Sequence, residues 1–279
     1  MTDLDARDTF DRDAERYDRI RPGYPDRLFD DLASVGGLPP NARILEIGVG
    51  TGQATLSLLE RGYHVTGVEL GTNLAALASR RLARFGNRVT IHVGPFESWP
   101  LPDEPFDAVV AFTAFHWVDA TTRVPRAAAA LRAGGVLATV ATHHVAGGTE
   151  RFFQDVQRCY ERWDPTTATG LRLPPPQDVA SESDEVDRSG LFGPVEFRRY
   201  ERDRLYTTAE YLDVLRTYSG HQTLDPEALD GLLQCIEELI DDRYSGRIEK
   251  RYLNELRLAR RLPTPWEGLP AGGGSVGSR

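Results

Sequence analysis

The sequence predicts an α/β protein whose core is a doubly wound, mostly parallel sheet. Residues 43–70 read as an apolar strand, a glycine-rich turn, a helix and a second strand that ends in an acid. Residues 36–145 continue this alternation through five strand–helix units in order. Ligands bind to such sheets outside the carboxyl ends of the strands, so functional residues are expected in the turns that follow them.

Length and charge limit the classes of function. The 279 residues fit one large domain with an elaboration, and the formal net charge is −9. An acidic protein repels phosphate backbones, so we expect no nucleic-acid partner. No apolar run approaches the length of a membrane span, and the first residues lack the apolar core of a secretion signal. We therefore expect a cytoplasmic protein that binds no membrane.

The two cysteines of the chain are Cys159 and Cys235, and neither belongs to a C-x-x-C pair. This spacing disfavours a zinc site or a disulfide framework and predicts two small buried thiols. The sequence also shows neither an H-E-x-x-H motif nor carboxylates at metal-ligand spacing, so we predict no metal site.

The turn after the first strand carries glycines at a spacing of two, Gly48, Gly50 and Gly52. Glycine lets a backbone approach a ligand closely, because a Cβ there would collide with it. Glu69, at the end of the second strand, can accept hydrogen bonds from both hydroxyls of a ribose. The dinucleotide fingerprint G-x-G-x-x-G is not matched, because Gly52 comes one residue too early for it.

Glu46-x-Gly48-x-Gly50-x-Gly52, followed by Val68–Glu69, resembles motif I of the class I S-adenosylmethionine-dependent methyltransferases. Two further segments are similar to this family, namely residues 16–25 (RYDRIRPGYP) and the turn at 132–137. The resemblance covers residues 16–142. It implies a Rossmann-like sheet of seven strands whose last strand is antiparallel, with S-adenosyl-L-methionine as cofactor. It further implies an enzyme that moves a methyl group to a small-molecule acceptor by in-line displacement, as a monomer or homodimer.

The resemblance also implies which residues bind the cofactor. Glu46 and the three glycines would contact the methionine end, Glu69 the ribose and Leu70 the adenine. The family often has an aspartate near the adenine amino group, where this chain has Pro95. We expect Phe96 or Glu97 to replace that contact.

Residues 1–35 are expected to form N-terminal lid helices over the cofactor. Arg21 and Tyr24 match the arginine and tyrosine of the family's lid, and Tyr17 would face the substrate. A second interpretation remains open, in which this segment only caps the core and Tyr17 and Tyr24 pack against it.

The fourth strand ends at His116 and Trp117, at the edge where the cleft is expected. His116 is the candidate general base, or alternatively a wall of the cleft. Trp117 would contact the substrate, as would His143, which like His144 follows the fifth strand.

Residues 36–145 are thus the predicted cofactor-binding core, and residues 146–262 the C-terminal part of the same domain. Within the latter, 195–206 and 251–259 alternate as strands six and seven. The segment 207–246 between them is predicted to be a helical substrate cap, in which Tyr218 and His221 would contact the substrate. The aromatic lining predicts an uncharged or weakly polar, partly aromatic acceptor. Residues 263–279 are rich in Gly and Pro and are predicted to be disordered.

Other classes of function remain as alternatives. An NAD(P)-binding oxidoreductase is disfavoured by the glycine spacing and by the lack of a Tyr-x-x-x-Lys dyad, since the only lysine, Lys250, follows Gly246 by four residues. A non-catalytic nucleotide-binding protein of the same fold is the other alternative. An RNA or protein methyltransferase is unsupported, because residues 113–116 do not match the (Asn/Asp)-Pro-Pro-(Tyr/Phe) motif of amide-methylating members.

Overall fold

The computed structural model describes Asp18, Ile20, residues 23–164 and residues 166–263. Tyr17, Arg21 and the tail beyond Pro263 lie outside the described residues, so the predictions for them stay open. Among the helices of the described part, none is both long enough and apolar enough to cross a lipid bilayer.

One seven-stranded sheet forms the centre of the fold, with the strand order β3-β2-β1-β4-β5-β7-β6. The strands are β1 Arg43–Ile47, β2 His64–Glu69, β3 Val89–Val93, β4 Phe106–Phe112, β5 Leu131–Gly148, β6 Glu196–Thr207 and β7 Arg247–Arg260. The first five strands pair in parallel, whereas β7 is antiparallel to both β5 and β6. The predicted mostly parallel sheet with an antiparallel last strand is confirmed.

Helices cover both faces of this sheet. They are α1 Asp26–Gly36, α2 Gln53–Glu60, α3 Thr72–Leu82, α4 Arg123–Ala130, α5 Glu150–Asp155, α6 Gln157–Trp163, α7 Asp184–Ser189, α8 Thr208–Arg216, α9 Ser219–Gln222 and α10 Pro226–Tyr244. Helices α1, α2 and α3 contribute buried leucines to the core on one face, and α4 packs its valine and alanines against the other. Burial on both faces explains why β4 is apolar except for Asp107.

A separate apolar cluster lies beyond the carboxyl ends of the parallel strands. It is built by α5, α6, α8 and α10, which together with α9 we call the cap. Helices α8 to α10 occupy the predicted insertion between strands six and seven, whereas α5 and α6 come from the connection between β5 and β6. The cap therefore has two sources in the chain, of which the sequence indicated one.

Strands β5 and β7 are longer than the sequence predicted. Their antiparallel pairing extends past the core to His144↔Tyr252 and Gly148↔Lys250. The hydrogen bonds of this pairing stabilise residues whose local sequence gives no strand signal. The pair of strands thereby reaches the cap and brings His144 to the edge of the cleft.

The prediction of two separate buried thiols is wrong. Cys159 on α6 and Cys235 on α10 form a disulfide, with their Cα atoms 5.7 Å apart. The two residues are 76 positions apart in sequence. No local spacing could pair them, because they meet only through the packing of α6 against α10.

Candidate active site

A cavity of about 580 Å³ lies at the carboxyl ends of the parallel strands, between the sheet and the cap. The turn after β1, the end of β2, the loop after β3 and the end of β4 form its floor. Residues of β5 and of the cap form the opposite wall. The cavity is therefore at the place where a doubly wound sheet binds ligands.

The three glycines of the β1–α2 turn all have positive φ, but they have different roles. A Cβ on Gly48 would lie 2.5 Å from the Cβ of Ala114, so this glycine allows close contact with the end of β4. A Cβ on Gly50 would meet no atom within 4 Å, because this residue faces the cavity. A Cβ on Gly52 would lie 3.0 Å from Cδ1 of Leu82, so Gly52 serves the packing of α2 on α3 and does not line the cavity.

Glu69 lines the cavity beside this turn, and only 7% of the residue is exposed. Its Oε2 accepts a hydrogen bond of 2.7 Å from the backbone N–H of Gly50, and its Oε1 accepts one of 2.8 Å from Gly71. The carboxylate is therefore fixed between the turn that follows β1 and the turn that follows β2. Leu70 lines the cavity next to it, as the sequence predicted.

Glu46 is placed differently from the other predicted cofactor residues. It is 1% exposed, does not line the cavity, and its Oε2 accepts a 2.7 Å hydrogen bond from Oγ1 of Thr55 on α2. Burial raises the pKa of the Glu46 carboxyl to about 8, and the nearby charge of Glu69 contributes in the same direction. The group is therefore mainly protonated at neutral pH, beneath the glycine turn.

The loop after β3 forms one side of the cavity. Pro95, Phe96 and Glu97 all line it. Phe96 is 3% exposed and belongs to the apolar core under the sheet edge. Glu97 accepts a hydrogen bond of 3.1 Å from the backbone N–H of Asp119. Both predicted replacements for the missing aspartate are thus next to the cavity.

The end of β4 contributes a residue with an unusual backbone. Thr113 has a φ of 55°, which is rare for a β-branched residue. Its Oγ1 is 3.0 Å from the hydroxyl of Tyr24 and 3.1 Å from Oγ1 of Thr142. Tyr24 does not line the cavity itself but holds Thr113, which does.

His116 and Trp117 follow on a short helix and line the cavity at its outer edge. Their rings are 4.9 Å apart. Partial burial, with a smaller contribution from the positive charge of Arg123, lowers the pKa of His116. The ring is therefore biased toward its neutral form.

The cap side of the cavity is lined by Tyr160, Asp164, Thr167, Tyr218, Gly220 and His221, which we call the cap wall. The hydroxyl of Tyr160 is 3.0 Å from Nε2 of His221. Burial lowers the pKa of His221 to about 4, so this ring is neutral at pH 7. Tyr218 and His221 were predicted from the sequence, whereas Tyr160 and Asp164 were not. They lie in a helix and a loop without any recognisable motif.

His143 and His144 lie on opposite sides of β5, since successive side chains of a strand alternate. His144 lines the cavity, whereas His143 lines a second cavity of about 680 Å³ on the other side of the strand. The two cavities share Thr113, His116 and Thr142 as lining residues. His143 is therefore not part of the cavity that the glycine turn faces.

Residues 44–135 match a family described as a methyltransferase domain. An uncharacterised methyltransferase of Mycobacterium tuberculosis is 37% identical over 125 residues, which are 44% of this chain and 48% of the relative. An uncharacterised methyltransferase of Geobacillus thermodenitrificans is 36% identical over 115 residues, 39% of this chain and 52% of the relative. The chain thus spans about half the length of the curated relatives it matches.

Solved structures share the fold over a greater length. A structure from Anaeromyxobacter dehalogenans, provisionally assigned as a type II methyltransferase, has a TM-score of 0.58 at 24% identity and covers 88% of this chain and 99% of its own. A phosphoethanolamine N-methyltransferase of Haemonchus contortus, in complex with S-adenosylhomocysteine, has a TM-score of 0.51 at 21% identity, with 91% and 58% covered. These likenesses show the fold. The match over residues 44–135 confirms, for that part of the chain, the resemblance to methyltransferases inferred from motif I. The chain therefore carries a methyltransferase domain over residues 44–135.

Proposed function

We propose that this protein transfers the methyl group of S-adenosyl-L-methionine to a small-molecule acceptor. The observation that carries the proposal is that a glycine turn, a fixed carboxylate and an aromatic wall line one and the same cavity. Gly50 leaves open space where a side chain would stand, and Glu69 presents an acceptor group beside it. These features fit a nucleoside with an amino-acid tail.

Each part of the cofactor has candidate residues on the floor of the cavity. The turn at Gly48 and Gly50 would hold the amino-acid tail, Glu69 the ribose hydroxyls, and Leu70, Phe96 and Glu97 the adenine. When bound, the cofactor supplies a methyl group already activated by a sulfonium. Glu46 would act indirectly, by supporting the turn from below through Thr55.

The protein then has to orient the acceptor and exclude water, since alignment and desolvation are the main contributions left to it. The cap is proposed to close the cavity from above. The N-terminal segment is proposed to act as the lid, because its described residues connect core and cap. Asp18 accepts a hydrogen bond from Gln53 on α2 and pairs with Arg81 on α3, while Ile20 is buried among the cap residues.

His116 is proposed as the general base for an acceptor that must lose a proton, because it lines the cavity and is biased toward the neutral form. The proposed location is the cytoplasm, where a disulfide would meet reducing conditions. The oxidation state of Cys159 and Cys235 in the isolated protein therefore bears on this proposed location.

Calorimetry with S-adenosylmethionine, S-adenosylhomocysteine and NADH tests the proposal. We expect the first two ligands to bind with micromolar affinity, about 8 kcal/mol. Transfer of labelled methyl into a metabolite extract would then separate an enzyme from a mere binder. Binding of NADH without any response to S-adenosylmethionine would overturn the proposal.

Two glycine variants provide a matched control. Gly50 and Gly62 both have positive φ, and at both a Cβ would meet no atom within 4 Å. Only Gly50 lines the cavity. Gly50→Ala and Gly62→Ala should cost similar stability, about 1–2 kcal/mol each. Only Gly50→Ala should also weaken donor binding, by about tenfold or more, because its Cβ occupies space that the ligand needs.

A further inference from the structure

The charged side chains that line the cavity are all acidic. They are Glu69 and Glu97 on the floor and Asp164 on the cap wall. Among the described residues, neither an arginine nor a lysine lines this cavity. The two floor carboxylates accept hydrogen bonds from backbone N–H groups and lie on the side proposed for the cofactor. Asp164 is thus the charged group that faces the space left for the acceptor.

Asp164 is held as an anion by its neighbours. Its Oδ1 accepts hydrogen bonds from the backbone N–H and the hydroxyl of Thr166, and its Oδ2 accepts one of 2.9 Å from Oγ1 of Thr167. Burial alone would raise the pKa of Asp164, but these hydrogen bonds outweigh it and lower the pKa. The carboxylate is therefore both charged and fixed in position.

Next to Asp164 the cap wall presents a continuous aromatic surface. The ring of His221 is 5.7 Å from that of Tyr160 and 5.8 Å from that of Tyr218, and His144 is 5.1 Å from Tyr218. His221 is uncharged at neutral pH, so it does not repel a cation. Aromatic faces attract cations, especially where water is excluded. The wall therefore combines aromatic rings with one negative charge.

We propose that the acceptor of this enzyme is a small amine and that methylation occurs on its nitrogen. This inference rests on the proposed function and adds the class of acceptor. From the aromatic lining, the sequence had predicted an uncharged or weakly polar, partly aromatic acceptor. It gave no sign that Asp164 lines the cavity. The carboxylate of Asp164 and the aromatic rings would attract the positively charged amino group and thereby place it at the cap wall.

The chemistry of the transfer favours this wall for nitrogen. The ammonium form of the amine first gives one proton to His116, the general base proposed above. The nitrogen lone pair then forms the new N–CH₃ bond, while the electron pair of the broken C–S bond remains on sulfur. The positive charge moves from sulfur to nitrogen, so a fixed anion and π faces at the nitrogen stabilise the transition state more than the neutral amine. A carboxylate acceptor would be repelled by the same groups.

Binding of two isosteric probes to the protein saturated with S-adenosylhomocysteine tests the wall. Choline and 3,3-dimethylbutan-1-ol have the same shape and differ in charge. We expect choline to bind about tenfold more tightly, the difference that a desolvated cation–π contact and an anion can supply. Equal binding of the two probes, or binding of neither, would overturn the inference.

Variants identify the groups responsible. Asp164→Asn should reduce choline binding to the level of the alcohol, whereas Asp242→Asn, an exposed carboxylate of the cap, should leave it unchanged. Tyr218→Phe should retain choline binding and Tyr218→Leu should lose it, because only phenylalanine keeps the ring. Binding of S-adenosylhomocysteine is measured in each variant. If the parent protein binds S-adenosylhomocysteine but does not prefer choline to the alcohol, the proposed function stands and the inference of an amine acceptor is contradicted.

Turnover gives an independent readout. When the protein is incubated with methyl-labelled S-adenosylmethionine and a metabolite extract, the label should appear in N-methyl products, which survive mild base. Label in base-labile methyl esters or in O-methyl ethers would contradict the inference even if choline binds.

Discussion

The hydroxyl of Tyr24 lies 3.0 Å from Oγ1 of Thr113, and this contact joins the segment before α1 to the strained end of β4. The chain of hydroxyls continues to Thr142, whose Oγ1 accepts a 2.9 Å hydrogen bond from Nδ2 of Asn254. A β-branched residue in the left-handed region costs free energy that the surroundings must offset. Three parts of the fold, the segment before α1, β5 and β7, thus share in holding Thr113.

A double-mutant cycle with Tyr24→Phe and Thr113→Val measures this contact. We expect a coupling free energy of about 0.5–1.5 kcal/mol, the usual net contribution of a hydrogen bond. Urea unfolding of the four proteins gives the value. Thr113→Gly serves as the control, and it should be more stable than Thr113→Val because glycine adopts this backbone without strain. Purely additive effects would contradict the assigned hydrogen bond.

Glu69→Gln should weaken the binding of S-adenosylmethionine while the fold remains. A charge-assisted hydrogen bond contributes about 1.5–3 kcal/mol, so we expect a loss of about tenfold or more. Calorimetry measures it, with Glu60→Gln, an exposed residue of α2 that does not line the cavity, as the control. An unchanged dissociation constant for the Glu69 variant would remove this residue from the proposed site.

Glu46 should make the protein less stable as pH rises. Its carboxyl titrates near pH 8 in the folded state but near its ordinary value of 4.5 when unfolded. Between these values the folded state holds the proton and the unfolded state does not, so the free energy of unfolding falls by up to about 1.4 kcal/mol per pH unit. Glu46→Gln should remove that part of the slope. Urea titrations at pH 5 to 8 test this, and parallel curves for both proteins would contradict it.

Lys250 should have the opposite effect on the pH profile. It is 4% exposed, and its Nζ lies 5.0 Å from the ring centre of Phe153 and 5.7 Å from that of Tyr252. Burial lowers its pKa from 10.5 to about 7. Between these values the unfolded state binds more protons, so stability should rise from pH 7 toward pH 10. Lys250→Met should be more stable at pH 7 and should lose this rise. A variant less stable than the parent at pH 7 would show that the aromatic contacts outweigh the cost of burial.

Reduction of the Cys159–Cys235 disulfide should destabilise the cap. A loop closed over 76 residues corresponds to about 4 kcal/mol in the chain-entropy treatment. Unfolding with and without dithiothreitol measures the loss, and the double variant Cys159→Ser/Cys235→Ser should resemble the reduced protein. Thiol titration of protein prepared under denaturing conditions shows which form exists. Two reactive thiols and no effect of reductant would mean that the bridge does not form.

The sequence predicted well those parts of the fold that depend on residues close together in the chain. The strand and helix of residues 43–60 follow from the spacing of their apolar residues. The turn between them follows from glycines at the positions where the backbone has a positive φ. Tyr160 and Asp164 could not be found in this way, because their position depends on how α6 packs against α10. Glu46 illustrates a second limit. Its spacing matches the motif, but only the structure shows that its side chain points toward Thr55 and away from the cavity.

Strand β5 lies between two cavities and contributes lining residues to both. Thr142 lines both cavities, whereas His144 lines only the cavity on the cap side and His143 only the cavity on the side of α7. The pairing with β7 sets this alternation, since His143 lies opposite Leu253 and His144 opposite Tyr252. A shift of β5 by one residue would move His143 and His144 to the opposite faces of the strand, and with them every neighbouring side chain that lines a cavity. The length of the strand before His143 is therefore under tighter constraint than the identity of its apolar residues, and an inserted residue there should be tolerated less well than most substitutions.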